Sequence, residues 1–307
     1  MYAFLALNLF TFTACDDDDS TPEALTIVET AQATADLSIL VDAVTQAGLA
    51  STLQGPGPFT VFAPTNTAFQ ALLNTNPNWN QLSDIDNATL TNVLLFHVLA
   101  TDVKAADLAD SYVTSLAAGP NDEQVVLQVD VTGGVKFNGS TLPLTTDVNT
   151  SNGTVHIINE VMMPPTVVDL ALNNPNFSSL VAALTRSDLT TDYVSLLSGP
   201  GPFTVFAPTN TAFETLLGTN PDWNTLADIP VGLLQDVLNY HVLSGNNVRD
   251  SQLTDNQEID VLGGRLTVDL SNGAKLETTS GQSVNISTTN VQGINGVVHV
   301  VDMVLLP

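Results

Sequence analysis

Fifteen consecutive residues of this chain occur twice without a change: Gly55-Pro-Gly-Pro-Phe-Thr-Val-Phe-Ala-Pro-Thr-Asn-Thr-Ala-Phe69 returns 144 positions later as Gly199 to Phe213. The same shift relates Asn76-Pro-Asn-Trp-Asn80 to Asn220-Pro-Asp-Trp-Asn224, and Phe96-His-Val-Leu99 to Tyr240-His-Val-Leu243. A shift of 143 relates Asn152-Gly-Thr-Val-His-Ile-Ile158 to Asn295-Gly-Val-Val-His-Val-Val301. Solenoid repeats have periods of about 20–50 residues, so a unit this long is a whole domain present in two copies. The copies are expected at residues 24–165 and 166–307, joined by the short, stiff Pro164-Pro165 pair.

Each copy mixes helix with strand. Leu37, Leu40, Val41, Val44 and Ala47 recur at helical spacing, with Gly48 placed to cap that helix. Phe59 to Ala63 is strand-like and Pro64 stops it, after which Thr65 or Asn66 can cap a helix carrying Ala68, Phe69, Leu72 and Leu73. Leu90, Val93 and Leu94 mark a helix leading into His97, echoed by Leu234, Val237 and Leu238 before His241. Turn signals then crowd the second half of each copy: Gly133-Gly134, Asn138-Gly139 and Asn152-Gly153, and later Gly263-Gly264, Asn272-Gly273 and Asn295-Gly296. Helices first and hairpins afterwards predict an α+β domain.

Charge narrows the partners. Against 32 Asp and Glu stand six Lys and Arg, a formal charge of −26, so no basic stripe exists to neutralise phosphates and nucleic acid is excluded as a partner. One Cys cannot form an internal disulfide, and with four His it cannot build the usual structural zinc sites in duplicate. No metal and no cofactor is expected.

The amino terminus carries an address. Residues 2–14, YAFLALNLFTFTA, are too short to span about 30 Å of hydrocarbon as a helix and read as a signal-peptide core over residues 1–14. Phe12-Thr-Ala-Cys15 resembles a bacterial lipobox, matching at Ala14 and Cys15 and departing at Phe12, where Leu is usual; no Lys or Arg precedes the apolar run. Cys15 is thus the expected lipid anchor, holding the chain to a membrane through acyl chains alone. Asp16 to Asp19 lie in an acidic linker, residues 15–23, either a solvated spacer or a signal resembling the surface-export sequence of Bacteroidetes-type lipoproteins. The expected location is the outer membrane, exposed at the cell surface; a periplasmic or secreted protein with a free thiol is the alternative.

Three ordered motifs, each present twice, resemble the fasciclin (FAS1) family: Thr60-Val-Phe-Ala-Pro-Thr-Asn-Thr-Ala-Phe69, the Phe-His or Tyr-His pair about thirty residues later, and the closing Asn-Gly-Val-Val-His-Val-Val-Asp. The resemblance covers nearly everything after residue 24. It implies two tandem FAS1 domains, each a β-wedge or sandwich with packed helices, in an extracellular adhesion or matrix-interaction protein without catalytic activity, its partner an extracellular protein or polysaccharide. In animal members an Asp-Ile before the last box, with the Tyr-His segment, is implicated in receptor adhesion. Carried to this chain, that points to Phe96, His97, Asp147 and Val148 in the first copy and Tyr240, His241, Asn290 and Val291 in the second. Neither copy keeps the full set.

The residues themselves offer little catalytic chemistry. His97, His156, His241 and His299 sit at repeat-equivalent positions among apolar neighbours, which predicts buried rings bonded to backbone rather than acid–base catalysts. Glu160 aligns with Met303, so a carboxylate beside the last His is not repeated. No Gly-x-Ser-x-Gly elbow is present, and the prolines of Gly55-Pro-Gly-Pro remove the N–H donors a phosphate cradle needs. Two rival readings remain: a carbohydrate-binding or sensing module would show Trp79 or Trp223 as exposed platforms, and an extracellular hydrolase would show an open pocket with a His beside a carboxylate.

Overall fold

The computed structural model describes residues 24–307. The apolar leader, Cys15 and the aspartate run lie outside the described residues. No helix among the described residues is long and apolar enough to cross a membrane.

Thr26 opens the first copy by capping α1 (Ile27–Ala33) reciprocally with Glu29: its hydroxyl accepts from the Glu29 N–H and the Glu29 carboxylate accepts from the Thr26 N–H. After a 3-10 turn, α2 (Ser38–Gln46) buries Leu40, Ala43 and Val44, and Gly48 closes it at φ +71°. Then α3 (Ala50–Leu53) leads through the Gly-Pro-Gly-Pro turn into β1 (Phe59–Pro64), whose residues from Thr60 onward are all buried. Such a strand has neighbours on both faces and both edges, which accounts for its near-continuous apolar run.

Thr65 caps α4 (Asn66–Asn74) through Ala68 N–H. Asn66, the other capping candidate, is instead the first helical residue. Its side chain accepts from Ile39 N–H and donates to the Ala35 carbonyl, tying α4 to the start of α2. Asp86 caps α5 (Asn87–Phe96), which ends on His97 and passes into β2 (Val98–Leu99). The hairpin half follows as β3 (Ser111–Ala118), β4 (Gln124–Asp130), β5 (Lys136–Phe137), β6 (Pro143–Thr150) and β7 (Gly153–Ile158). β7 runs parallel to β1, pairing Phe59 with Gly153 and Pro64 with Ile158.

The second copy repeats this order: α6 (Val167–Leu172), α7 (Ser178–Leu184), α8 (Tyr193–Ser198), β8 (Phe203–Pro208), α9 (Asn210–Gly218), α10 (Val231–Tyr240), β9 (Val242–Ser244), β10 (Glu258–Val261), β11 (Gly264–Asp269), β12 (Lys275–Thr278), β13 (Ser283–Gly293) and β14 (Gly296–Val301). Its strands form one seven-stranded sheet, β10-β11-β12-β13-β14-β8-β9. In the first copy the sheet is split into β2-β1-β7-β6 and β3-β4-β5. The cause is local. β12 is long enough to pair with both β11 and β13, whereas β5 has two residues before Asn138 (φ +46°) and Gly139 (φ +81°) turn the chain back to a lone bridge between Phe137 and Thr141.

Each copy buries one apolar cluster under its helices and a second between its sheet faces, and the clusters cross the junction. Val126 and Tyr112 of the first copy join the helical core of the second, while Ile294 of the second packs into the core of the first. The Ile294 N–H also donates to the carbonyl of Pro165 at 2.7 Å. Gly119 and Gly293 let the two backbones meet: a Cβ on Gly119 would lie 2.6 Å from the Gly293 carbonyl oxygen. An ion pair, Arg249 with Glu123 at 3.1 Å, spans the same contact.

The helical cores are filled unequally. Beneath α1 to α3 lies a mainly apolar cavity of about 70 Å³, lined by Val28, Val44, Ala50 and Val61; its counterpart in the second copy is about 20 Å³. Leu184 stands there where the first copy has Val44, and Val194 where it has Ala50. At about 24 cal/mol per Å³ of void, Val44→Leu with Ala50→Val is expected to raise the stability of the first copy by about 1 kcal/mol. Urea melts of the double variant check this, and a lower midpoint would show that the site resists filling.

Candidate interaction site

The residues singled out from sequence converge on two places in each copy. The first is the seam between the end of the long helix and the closing segment. α5 and α10 end on His97 and His241, whose Nδ1–H groups donate to the carbonyls of Val93 (2.8 Å) and Val237 (2.7 Å) one turn earlier. The Nε2 atoms accept from Met162 N–H (2.9 Å) and Leu305 N–H (3.0 Å), residues 65 and 64 positions away. Each ring therefore clips the last segment of its copy to the helix end. This bonding needs the neutral Nδ1–H tautomer, and burial pushes both rings down to about 4, against the opposing pull of the Val93 and Val237 carbonyls.

Phe96 and Tyr240, beside them, are fully enclosed. Tyr240 uses its hydroxyl to donate to the Arg265 carbonyl and accept from Thr279 N–H, bonds to the β11–β12 hairpin. Phe96 lies in the copy whose corresponding strand, β5, is shortened to two residues. A partner arriving from solvent cannot touch Phe96, His97, Tyr240, His241 or the buried Val291.

The second place is the bulged middle of β6 and β13. Asp147 (φ +58°) and Asn290 (φ +61°) both take the left-handed conformation that short polar side chains tolerate. Their side-chain oxygens do the same work: Asp147 Oδ1 accepts from Ala105 N–H at 2.8 Å, and Asn290 Oδ1 from Asp250 N–H at 3.0 Å. Asp and Asn interchange here because each supplies the oxygen that accepts this N–H. Asp147, Val148 and Asn290 remain partly open to solvent.

His156 and His299 lie under these bulges, stacked on Phe62 and Phe206. Their Nε2–H groups donate to the carbonyls of Val103 and Val248. His156 Nδ1 also accepts from Asp147 N–H at 3.3 Å, whereas His299 Nδ1 has no partner, and burial lowers the pKa of His299. Both rings are wholly buried, so neither lies in an open pocket beside a carboxylate. Next to His156, Thr154 bonds to Asp102 and Lys104, and that Thr154 hydroxyl holds Asp102 below the usual carboxylate range. The second copy replaces this set with Asn247 and Gln292 paired through their amides, beside Val297 and Arg249.

Trp79 and Trp223 are half-buried, packed on the helical cores rather than standing out as platforms. Among the described residues no cluster of His, Cys, Asp and Glu could hold a metal ion.

Two features escaped the sequence reading. Asn152 and Asn295 mark turns, yet their side chains are three-way ties. Asn295 Oδ1 accepts from Val167 N–H, and its Nδ2 donates to the carbonyls of Leu197 and Gly199; Asn152 repeats this with Ile27, Leu53 and Gly55. The second is a cleft of about 1,010 Å³ between the copies, walled by β3 and β4 on one side and by β13 and the Asn174–Phe177 turn on the other. Its one sequence trace is Val126, an apolar residue on the outward side of β4 between Gln124 and Gln128.

Comparisons with known proteins agree with this architecture. The profile of the fasciclin domain family matches residues 35–164 and again 175–307. Protein sll1483 of Synechocystis is 39% identical over 146 residues, covering 48% of this chain and 77% of that protein. Transforming growth factor-beta-induced protein ig-h3 of Sus scrofa is 29% identical over 257 residues, covering 83% of this chain but 35% of its own length. Among solved structures, the FAS1 domain pair of the insect cell adhesion molecule fasciclin I aligns over 91% of this chain and 96% of that one, with TM-score 0.49 and 17% identity. Matched twice along its length, with an α+β fold repeated in each half, the chain belongs to the fasciclin domain family as a tandem pair.

Proposed function

We propose that this protein is a non-catalytic, adhesion-type module of the cell exterior, two FAS1 domains held at the surface of a Gram-negative bacterium by lipid on Cys15. The observation that carries the reading is the fate of the histidines. In both copies the chain's best acid–base groups are sealed and bonded to backbone, so they serve the fold, and what the molecule offers to the outside is surface. Membership of the fasciclin domain family supports an adhesion-type role. The domain limits that fit it are 24–165 and 166–307, with Thr166 capping α6 directly after the diproline.

The test is made on cells. Expression of the chain on a non-adherent Gram-negative host is expected to raise adhesion to a matrix-coated surface several-fold, and Cys15→Ala is expected to move the protein from the membrane to the soluble fraction and abolish that gain. Equal adhesion with and without the chain rejects the adhesion role, and a wild-type protein without lipid by mass spectrometry rejects the anchor.

A further inference from the structure

We propose that the cleft between the two copies is a binding site for a neutral glycan chain. The proposal names the partner for the extracellular reading above and rests on it.

The cleft, at about 1,010 Å³, is at the upper end of the usual size for ligand sites, and it lies where such sites prefer to form, at a domain interface. Its lining is largely neutral and polar. Ser111, Thr114 and Gln128 face it from the first copy, and Asn174, Thr288 and Asn290 from the second. These are hydroxyls and amides, groups that both donate and accept. An apolar ligand would strip water from them without replacing the lost bonds.

Gln128 lies in the lining of this cleft and is 6% exposed, and its Oε1 has no hydrogen-bond partner. Buried amide oxygens are nearly always paired, and this one is sealed from solvent as the side chain stands, so a ligand hydroxyl reaches it only when the Gln128 amide turns outward. Tyr112 adds an aromatic ring to the same wall, its hydroxyl accepting from Asn174 Nδ2 at 2.7 Å across the junction. Burial raises the pKa of that hydroxyl, which therefore stays protonated at neutral pH.

Charge selects among glycans. Arg249 is the one cation in the lining and is already paired with Glu123, while Asp110 and Asp130 stand in the same walls and the chain as a whole carries −26. A sulfated or uronic-acid polymer is repelled, and a neutral sugar chain is not. Carboxylates, amides and hydroxyls beside an aromatic ring are complementary to sugar hydroxyls and C–H faces.

The experiment uses the purified chain with Cys15→Ala, presented to immobilised neutral glycans (cellohexaose, chitohexaose, maltohexaose, xylohexaose and mannan), to the polyanions heparin and alginate, and to an unrelated extended peptide. Retention of at least one neutral glycan is expected, with tenfold or greater loss in Thr288→Trp and in Thr114→Trp. Both positions are exposed on opposite walls, so each variant blocks the cleft without entering a core. Gln128→Leu is expected to weaken binding while leaving the melting temperature unchanged or higher. Trp79→Phe with Trp223→Phe is expected to bind as the parent does. Retention of none of the neutral glycans, preference for the polyanions or the peptide, or binding that survives both tryptophan blocks overturns the proposal. Cell adhesion measured on the blocked variants separates the two readings. Adhesion that persists without glycan binding leaves the adhesion role standing and removes the cleft from it.

Discussion

Asn295→Ala is expected to lower the unfolding free energy of the second copy by about 3–5 kcal/mol, because three backbone groups lose their partner at once and each buried, unsatisfied group costs about 1–3 kcal/mol. The Val167 N–H is the first of the four amides that α6 cannot satisfy internally, so Asn295 acts as a remote cap on that helix. The Leu197 and Gly199 carbonyls, at 2.8 and 2.9 Å, sit at the end of α8 where the chain turns toward β8. Solvent cannot take over easily, since Asn295 is buried and the backbone around it is crowded: a Cβ on Gly201 would lie 1.9 Å from the Asn295 carbonyl oxygen. Asn152→Ala should cost somewhat less, because Asn152 is only half-buried. Urea melts at pH 7 read both effects. Asn295→Asp serves as the control: it keeps the acceptor for Val167 but sets a carboxylate oxygen against two carbonyls, and it should be nearly as harmful. A loss below about 1 kcal/mol for Asn295→Ala would mean that the tie is incidental.

The second large effect is set by acid. In the folded chain His97 and His241 titrate at about 4, lowered chiefly by burial, against 6.5 for a free imidazole. Between those values the unfolded chain binds protons that the folded chain does not, so stability is fully present above pH 6.5 and drains away as pH falls toward 4. At 1.36 kcal/mol per unit, each ring contributes about 3 kcal/mol across the window. The carboxylates whose pKa values are lowered in the fold, such as Asp228 through the Thr225 and Asn224 N–H groups, add their own loss from about pH 5 downward. Stability measured at pH 7.5, 6, 5 and 4.5 is expected to fall steeply over the last three points, and His241→Gln should flatten the slope for the second copy while lowering its value at pH 7.5. An unchanged midpoint from pH 6.5 to 4.5 would show that the rings open to water before unfolding.

What sequence reveals of this molecule depends on how far apart the interacting residues are. β1 and β8 could be read directly, since a buried strand needs only its own apolar run and the proline that ends it. The helix caps at Thr65 and Thr209 were equally local, each hydroxyl bonding three residues ahead. The repeat placed all four histidines in apolar surroundings, and the structure adds which carbonyl each one holds. Asn152 and Asn295 were legible as turns, because Asn-Gly is a local signal, but not as ties, because their partners lie 96 to 128 residues away. The split sheet of the first copy was not foreseen, since it follows from a β5 two residues long. Apart from Val126, the cleft leaves no local signal for the same reason as the ties: its walls come from different copies, and no short window contains both Gln128 and Thr288.

Gly119 and Gly293 carry a mechanical consequence. Where two folded units are strung on a flexible linker, a pull on one is first absorbed by slack chain, and the units arrive at a surface in many orientations. Here the link is two prolines, the backbones meet without side chains between them, and Ile294 reaches into the neighbouring core. A shear load on one unit is thus passed to the other through compression of close-packed atoms, with little rotation. The spacing of the two units is set by direct contact rather than by the length of a slack chain. Gly119→Ala would force a carbon to 2.6 Å from the Gly293 carbonyl oxygen, and 3.5 Å from the core side chain of Val125, and so push the two units apart at this contact.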